Sequence, residues 1–170
     1  MSGSFELAQL NVGRLLAPVD SAEIAGFVAE LEPVNRIADA SDGFVWRLQT
    51  EQGDATSIRP TDDDLFLINM SVWSSLEALR AFTYTTAHVQ VLRRRSEWFE
   101  RMATAHMVLW WVPVGHRPTV DEALDRLERL RREGPTPAAF TFRTPFEPDA
   151  ARPGDPLVDA EFCGPGFAVG

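Results

Sequence analysis

The chain has 170 residues and a mass of 18.9 kDa, which suits a single domain. Its formal net charge of −9 and isoelectric point near 4.8 argue against nucleic acid or an acidic membrane surface as a partner, because both need a basic face. All sixteen basic residues are Arg, so a lysine Schiff base and a lysine general base are excluded. A lone cysteine, Cys163, offers no internal disulfide, and the 45% hydrophobic fraction must supply the core. The N-terminus lacks a signal-peptide pattern and no apolar run approaches the roughly 18–20 residues of a membrane span. A cytoplasmic protein is the expectation.

The first strand is predicted over Phe5 to Val12, with Gln9 and Asn11 on one face and Ala8, Leu10 and Val12 on the other. Asp20 and Glu23 have the spacing of a capping box. Ile24, Phe27, Val28, Leu31, Val34 and Ile37 then form an apolar helical stripe, which Pro33 is expected to kink or shorten. Asp42-Gly43 turns the chain into a second strand, Phe44 to Thr50, with Phe44, Trp46 and Leu48 assigned to one face. The polar stretch from Glu51 to Asp64 reads as a long loop.

Leu65 to Trp73 is the third strand. Its two faces are Phe66, Ile68, Met70 and Val72, all apolar, and Leu67, Asn69, Ser71 and Trp73, mixed. Ser74 with Glu77 is expected to cap a helix that breaks near Thr83 to Thr86 and resumes from His88 to about Arg101. Met107 to Val114 is the fourth strand. Thr119 with Glu122 opens a further helix, faced by Leu124, Leu127 and Leu130 and stopped at Gly134-Pro135. A short apolar piece, Phe140 to Phe146, is followed by a Pro/Gly-rich arm over 147–170.

The order is strand–helix–strand, loop, strand–helix–strand. That is the ferredoxin-like α+β pattern: two split βαβ units forming a four-stranded antiparallel sheet in a domain of residues 1–146. With both crossover helices on one face, the other face would be bare and apolar. Two such faces closing on each other make a dimeric α+β barrel, so a homodimer is expected.

Few residues are equipped for chemistry. Asn69 and Trp73 lie four apart on one strand and share a face, and Asn11 is a second amide within the sheet. Each amide is either bonded to a neighbour or turned to a ligand. Tyr84, His88, Val91, Arg95 and Trp98 follow a single helix face at spacings of four and three. His88 there is either a general base, a haem ligand, or a histidine bonded to a carbonyl. Arg95 has the phase to anchor a carboxylate or phenolate, whereas Arg93, Arg94 and Arg95 spread around the helix and form no patch. His106 and His116 read as loop-fixing, and Asp62 to Asp64 as a solvated turn. No metal-ligand spacing, phosphate loop or nucleophile elbow is present in the sequence.

The segments Phe5-Glu6-Leu7-Ala8-Gln9-Leu10-Asn11-Val12, Gly43 to Leu48, Asn69-Met70-Ser71-Val72-Trp73, His88 to Phe99 and Leu109-Trp110-Trp111-Val112-Pro113 resemble a bacterial domain-of-unknown-function family. It belongs to the dimeric α+β barrel superfamily, alongside the antibiotic-biosynthesis monooxygenases, and the resemblance spans roughly residues 5 to 143. In cofactor-free quinone-forming monooxygenases of that superfamily, an Asn and a Trp on the third strand sit by a polyphenol whose carbanion reacts with oxygen. Asn69 and Trp73 resemble that pair. In haem-degrading relatives an Asn on the first strand, a Trp and a helical His surround the haem, and Asn11, Trp73 and His88 resemble that trio.

The expectation is therefore a cofactor-independent monooxygenase or cyclase acting on an aromatic or polyketide-like substrate. Asn69, Trp73, His88 and Arg95 are expected to carry the chemistry. Asn11, Trp46, Tyr84, Trp98 and Trp110 are expected to contact the substrate, with no metal bound. The alternatives are a non-catalytic ligand-binding or interaction module and a haem-binding protein.

Overall fold

A computed structural model describes residues 4–148. The expected arm over 147–170 therefore lies outside the described residues, apart from its first two, as does Cys163. The elements in order are β1 (Phe5–Arg14), α1 (Ala25–Asp39), β2 (Phe44–Arg47), β3 (Phe66–Trp73), α2 (Leu76–Thr83), α3 (Thr86–Arg93), α4 (Arg95–Trp98), β4 (Met107–Pro113) and α5 (Val120–Glu133). The sheet runs β2-β3-β1-β4, antiparallel throughout, which is the ferredoxin-like order. The two central strands, β1 and β3, set Gln9 opposite Ser71 and Asn11 opposite Asn69.

Strand alternation divides the molecule into two layers. On one side Ala8, Leu10, Val12, Ile68, Met70, Val72, Val108, Trp110 and Val112 pack against Ala123, Leu127 and Leu130 of α5. On the other side Leu7, Trp73 and Leu109 pack with Ala38 of α1 and Leu79 of α2, while Leu67 joins Trp98 of α4. The first of these faces was expected to be bare and to await a second copy of the chain. Instead α5 fills it from within: Leu10, Met70 and Val72 are buried in the single chain. Each such fully buried apolar side chain is worth roughly 1.5–3 kcal/mol, so α5 itself covers the surface that was expected to be bare.

β2 departs from simple alternation. Its register shifts between Phe44, opposite Trp73, and Trp46, opposite Val72. The extra residue of this bulge reverses the parity of the strand. Phe44 therefore stands on the helical side, edge-to-face with Trp73 at 5.5 Å, while Trp46 packs against the α5 core. The expectation that both share a face is corrected. β2 also ends at Arg47, three residues before the expected limit.

Local signals met different fates. α1 starts from Ile24 without a side-chain cap, so the Asp20–Glu23 box does not form. The helix runs through Pro33 to Asp39; Pro33 is exposed, where water can satisfy the carbonyl that proline leaves unbonded. α2 is capped by Ser75, whose Oγ accepts from the Ala78 N–H at 3.1 Å. Ser74, the expected cap, instead donates its backbone N–H to Gly43 O at 2.7 Å and extends the β2–β3 pairing. Gly43 has φ +80°, and a Cβ there would meet Ser74 Oγ and Ala78 Cβ at 2.5 Å, so only glycine fits this corner. The helix break falls where expected: α2 stops at Thr83 and α3 begins at Thr86. Thr119 caps α5, accepting from Glu122 N–H at 3.1 Å. Beyond α5, Phe140 pairs with Leu109 on the free edge of β4. No helix among the described residues is long and apolar enough to cross a membrane.

Candidate functional site

α3 packs on α1, α2 and α4, leaving space between it and the helical side of the sheet. That space is a cavity of about 580 Å³. Its floor is the mixed face of β1 and β3. Its walls come from α1 through Phe27, Leu31 and Val34, from α2 and α3 through Phe82, His88 and Val91, and from Thr141 and Phe142 of the C-terminal segment.

A polar track crosses the floor. Trp73 Nε1 donates to Ser71 Oγ at 2.8 Å, and Gln9 Nε2 donates to Ser71 Oγ at 3.0 Å and to Asn69 Oδ1 at 2.8 Å. Asn69 is exposed although it lies on a central strand, because β2 ends short of it and the cavity opens there. With Oδ1 held by Gln9, its Nδ2 is left as a donor facing open space. Asn11 also lines the floor, and its Oδ1 is buried without a partner.

His88 is bonded to a carbonyl, as one sequence reading allowed: Nδ1 lies 2.8 Å from Thr83 O. Because a carbonyl only accepts, Nδ1 carries the proton and Nε2 of the neutral ring presents its lone pair. Nε2 has no partner among the described residues, and it is not among the sealed polar atoms, so it remains open. Burial pushes the imidazole below the ordinary histidine range; the Thr83 bond opposes this without reversing it. The ring leans on Phe82 at 4.9 Å, and Phe82 stacks on Trp73 at 5.1 Å.

Arg95 lines the same cavity toward its other end. Its Nη2 donates to Val12 O at 3.1 Å, and the guanidinium lies 4.8 Å over Phe99. Burial lowers its pKa from the usual arginine value. His106 lines this end too, and is held below its ordinary range by burial and by the nearby Arg95 charge.

The structure thus brings Asn11, Asn69, Trp73, His88 and Arg95 to one cavity, but not to one point. His88 lies on α3 and Arg95 opens α4, on either side of the break at Arg94. Asn69 and Trp73 are separated by about 13 Å of strand. The expected single catalytic cluster is therefore two poles: Trp73, Phe82 and His88 at one, Arg95 and His106 at the other.

The substrate-contact set is partly corrected. Trp98 lines the cavity, 2% exposed, with Phe27 at 5.8 Å and Arg94 at 4.6 Å over its ring. Tyr84 reaches only the rim, being 68% exposed. Trp46 and Trp110 do not line the cavity. The β2 bulge turns Trp46 away, and odd–even alternation along β4 sends Trp110 to α5, where its Nε1 donates to Glu122 at 2.9 Å. His116, read as loop-fixing, bonds the same carboxylate at 2.8 Å. Sequence reasoning missed Gln9, Ser71, Phe82 and His106 as site residues. Alternation already set Gln9 beside Asn11 and Ser71 beside Asn69, so that signal was available. Nothing in the sequence marked His106. No group of three or more potential metal ligands occurs among the described residues.

The family described as domain of unknown function DUF3291 matches residues 6–155, so the chain belongs to that family. No curated protein matches. Solved structures similar to this chain include SnoaB, a cofactor-independent oxygenase from Streptomyces nogalater, at 15% identity and TM-score 0.43, covering 68% of this chain and 96% of that one. Others are Rv0793 from Mycobacterium tuberculosis (12% identity, TM-score 0.44, 68% and 98% covered) and PA3566 from Pseudomonas aeruginosa (14%, 0.43, 68% and 97%).

Proposed function

We propose that the chain is a small-molecule enzyme that removes a proton from a phenolic or enolisable aromatic substrate without a bound cofactor. The observation that carries the reading is the fixed tautomer of His88, which offers an unprotonated Nε2 at the wall of an apolar cavity. In this mechanism Nε2 takes the proton, and the ring becomes an imidazolium whose Nδ1–H still points at Thr83 O. The negative charge left on the substrate is met by the Nδ2 donor of Asn69. Phe82, backed by the buried Trp73 on which it stacks, gives the substrate ring an apolar wall and keeps water from the carbanion. What the carbanion then meets decides the outcome: dioxygen gives oxygenation, an internal carbonyl gives cyclisation.

His88→Gln keeps a side chain able to bond Thr83 O and lacks the base. Turnover of a hydroquinone or polyketide-like phenol is expected to fall about 10²–10⁴-fold, the usual contribution of a general base. The thermal melt should hold, because a single hydrogen bond is worth only about 1 kcal/mol. Full activity in this variant would refute the mechanism. The open Nε2 also meets the requirement for an axial haem ligand, and hemin titration separates the readings: a Soret shift lost in His88→Gln favours haem, and a flat titration favours the enzyme. Ligand binding without turnover in any phenol tested would favour a binding module. Homodimer formation belongs to the same proposal and is read by sedimentation velocity.

A further inference from the structure

Arg95 differs from the cations around it. Arg14 is paired with Asp63 and Glu100, Arg94 with Glu97 and Glu30, and Arg131 with Glu128. Arg95 has no carboxylate partner among the described residues, although it is half-buried and lines the cavity. Of its five N–H donors, the structure engages one, with Val12 O.

The surroundings keep it that way. Among the described residues, the two acids that line the cavity are occupied elsewhere: Glu30 faces Arg94 at 3.9 Å, and Asp54 accepts from Thr56 N and Oγ1 at 2.8 and 2.6 Å. His106, which lines the same end, is pushed below the ordinary histidine range by burial and by the Arg95 charge. Gly13 makes room for the guanidinium across β1, since a Cβ there would stand 2.7 Å from the Phe99 ring and 3.1 Å from Arg95 Nη2. A partly desolvated guanidinium with free donors and no acid nearby is matched by a carboxylate, which accepts two parallel N–H bonds.

The opposite pole carries the stacked pair Trp73 and Phe82. From Leu67, opposite Gly13, to Trp73 the floor spans six residues, about 20 Å of strand. We infer that the cavity takes an elongated aromatic acid, its carboxylate clamped by Arg95 and its ring at the opposite pole beside Phe82. This deepens the function proposed above, resting on the same cavity being a ligand site, and it assigns Arg95 to substrate binding rather than to the proton transfer.

The test is titration calorimetry of the full chain with 4-phenylbutanoate, 8-phenyloctanoate and 8-phenyloctanamide. The longer acid is expected to bind tighter than the shorter one, and at least about tenfold tighter than its neutral amide, as a charge-assisted pair requires. In Arg95→Met, which keeps the apolar stem over Phe99, the acid-to-amide ratio should fall toward one; in Arg36→Met, at an exposed arginine paired with Glu32 outside the cavity, it should persist. The wild-type ratio alone decides if the Met variant proves unstable. Equal binding of acid and amide by the wild type overturns the inference while leaving the cavity a ligand site. Retention of the ratio in Arg95→Met overturns it as well. If none of the three probes binds, this inference falls, while the reading it rests on is decided separately by turnover of the phenols named above.

Discussion

Asn11 and Asn69 face each other across the two central strands, yet they are not equivalent. Asn69 has its oxygen held by Gln9 and its amide nitrogen free, whereas the Asn11 oxygen is buried with no partner. An unmade bond of this kind costs about 1–3 kcal/mol. Replacing Asn11 with Leu removes the orphaned acceptor, so the melting temperature should hold or rise; a loss above about 1 kcal/mol would show that Asn11 has a partner the structure does not display. The two cavity histidines set a pH dependence. Burial lowers the folded-state pKa of both His88 and His106 below the ordinary value of about 6.5. Between the folded and unfolded values the unfolded chain binds more protons. Stability is therefore complete above about pH 6.5 and declines as the pH falls through the lower folded values. Urea denaturation from pH 8 to pH 5 should show that decline, and His88→Gln should make it shallower. A slope of the opposite sign would mean that the charged imidazole is favoured in the fold.

Most elements can be read from hydrophobic period alone, because strand alternation and the helical stripes agree with the burial they produce. The β3 faces follow from that agreement, whereas the break between α2 and α3 follows from clustered β-branched residues and the Thr119 cap from its spacing to Glu122. The misreadings come from features that act against a period. A single inserted residue in β2 reversed Trp46, and no composition signal marks a bulge. The α2 cap moved from Ser74 to Ser75 because the Gly43 corner claims the Ser74 backbone, a contact more than thirty positions away in sequence. Trp110 illustrates the same limit: adjacent tryptophans on β4 must face opposite ways, but only α5 decides which of them is sealed. That sealing can be tested at Glu122, whose carboxylate accepts from Trp110 Nε1 and contacts His116 Nε2. Glu122→Ala leaves the buried indole N–H unpaired and should lower stability by about 1–3 kcal/mol. Adding Trp110→Phe to that variant removes the stranded donor and should return part of the loss. No recovery would locate the cost elsewhere in α5.

At the scale of the whole molecule, the decisive element is the one that the two split βαβ units do not require. Without α5 the sheet would have one covered face and one bare face, and a second chain would be the natural cover. With α5 present, Ala123, Leu127 and Leu130 occupy that side and Phe140 lies along the β4 edge. The candidate cavity then lies between the other face and its own helices, and the described residues of one copy supply its floor and walls. Leu127→Ala tests this arrangement. It deletes a side chain 1% exposed in the α5 core, and a large-to-small change of that kind costs about 2–5 kcal/mol. Because the contact is within the chain, the loss should be the same at low and high protein concentration. A loss that shrinks as concentration rises would instead mean that a second copy competes for the sheet face, with α5 displaced from it. Ligand affinity gives the companion reading: Leu127 lies across the sheet from the cavity, so the variant should bind its ligand with unchanged affinity while the protein remains folded.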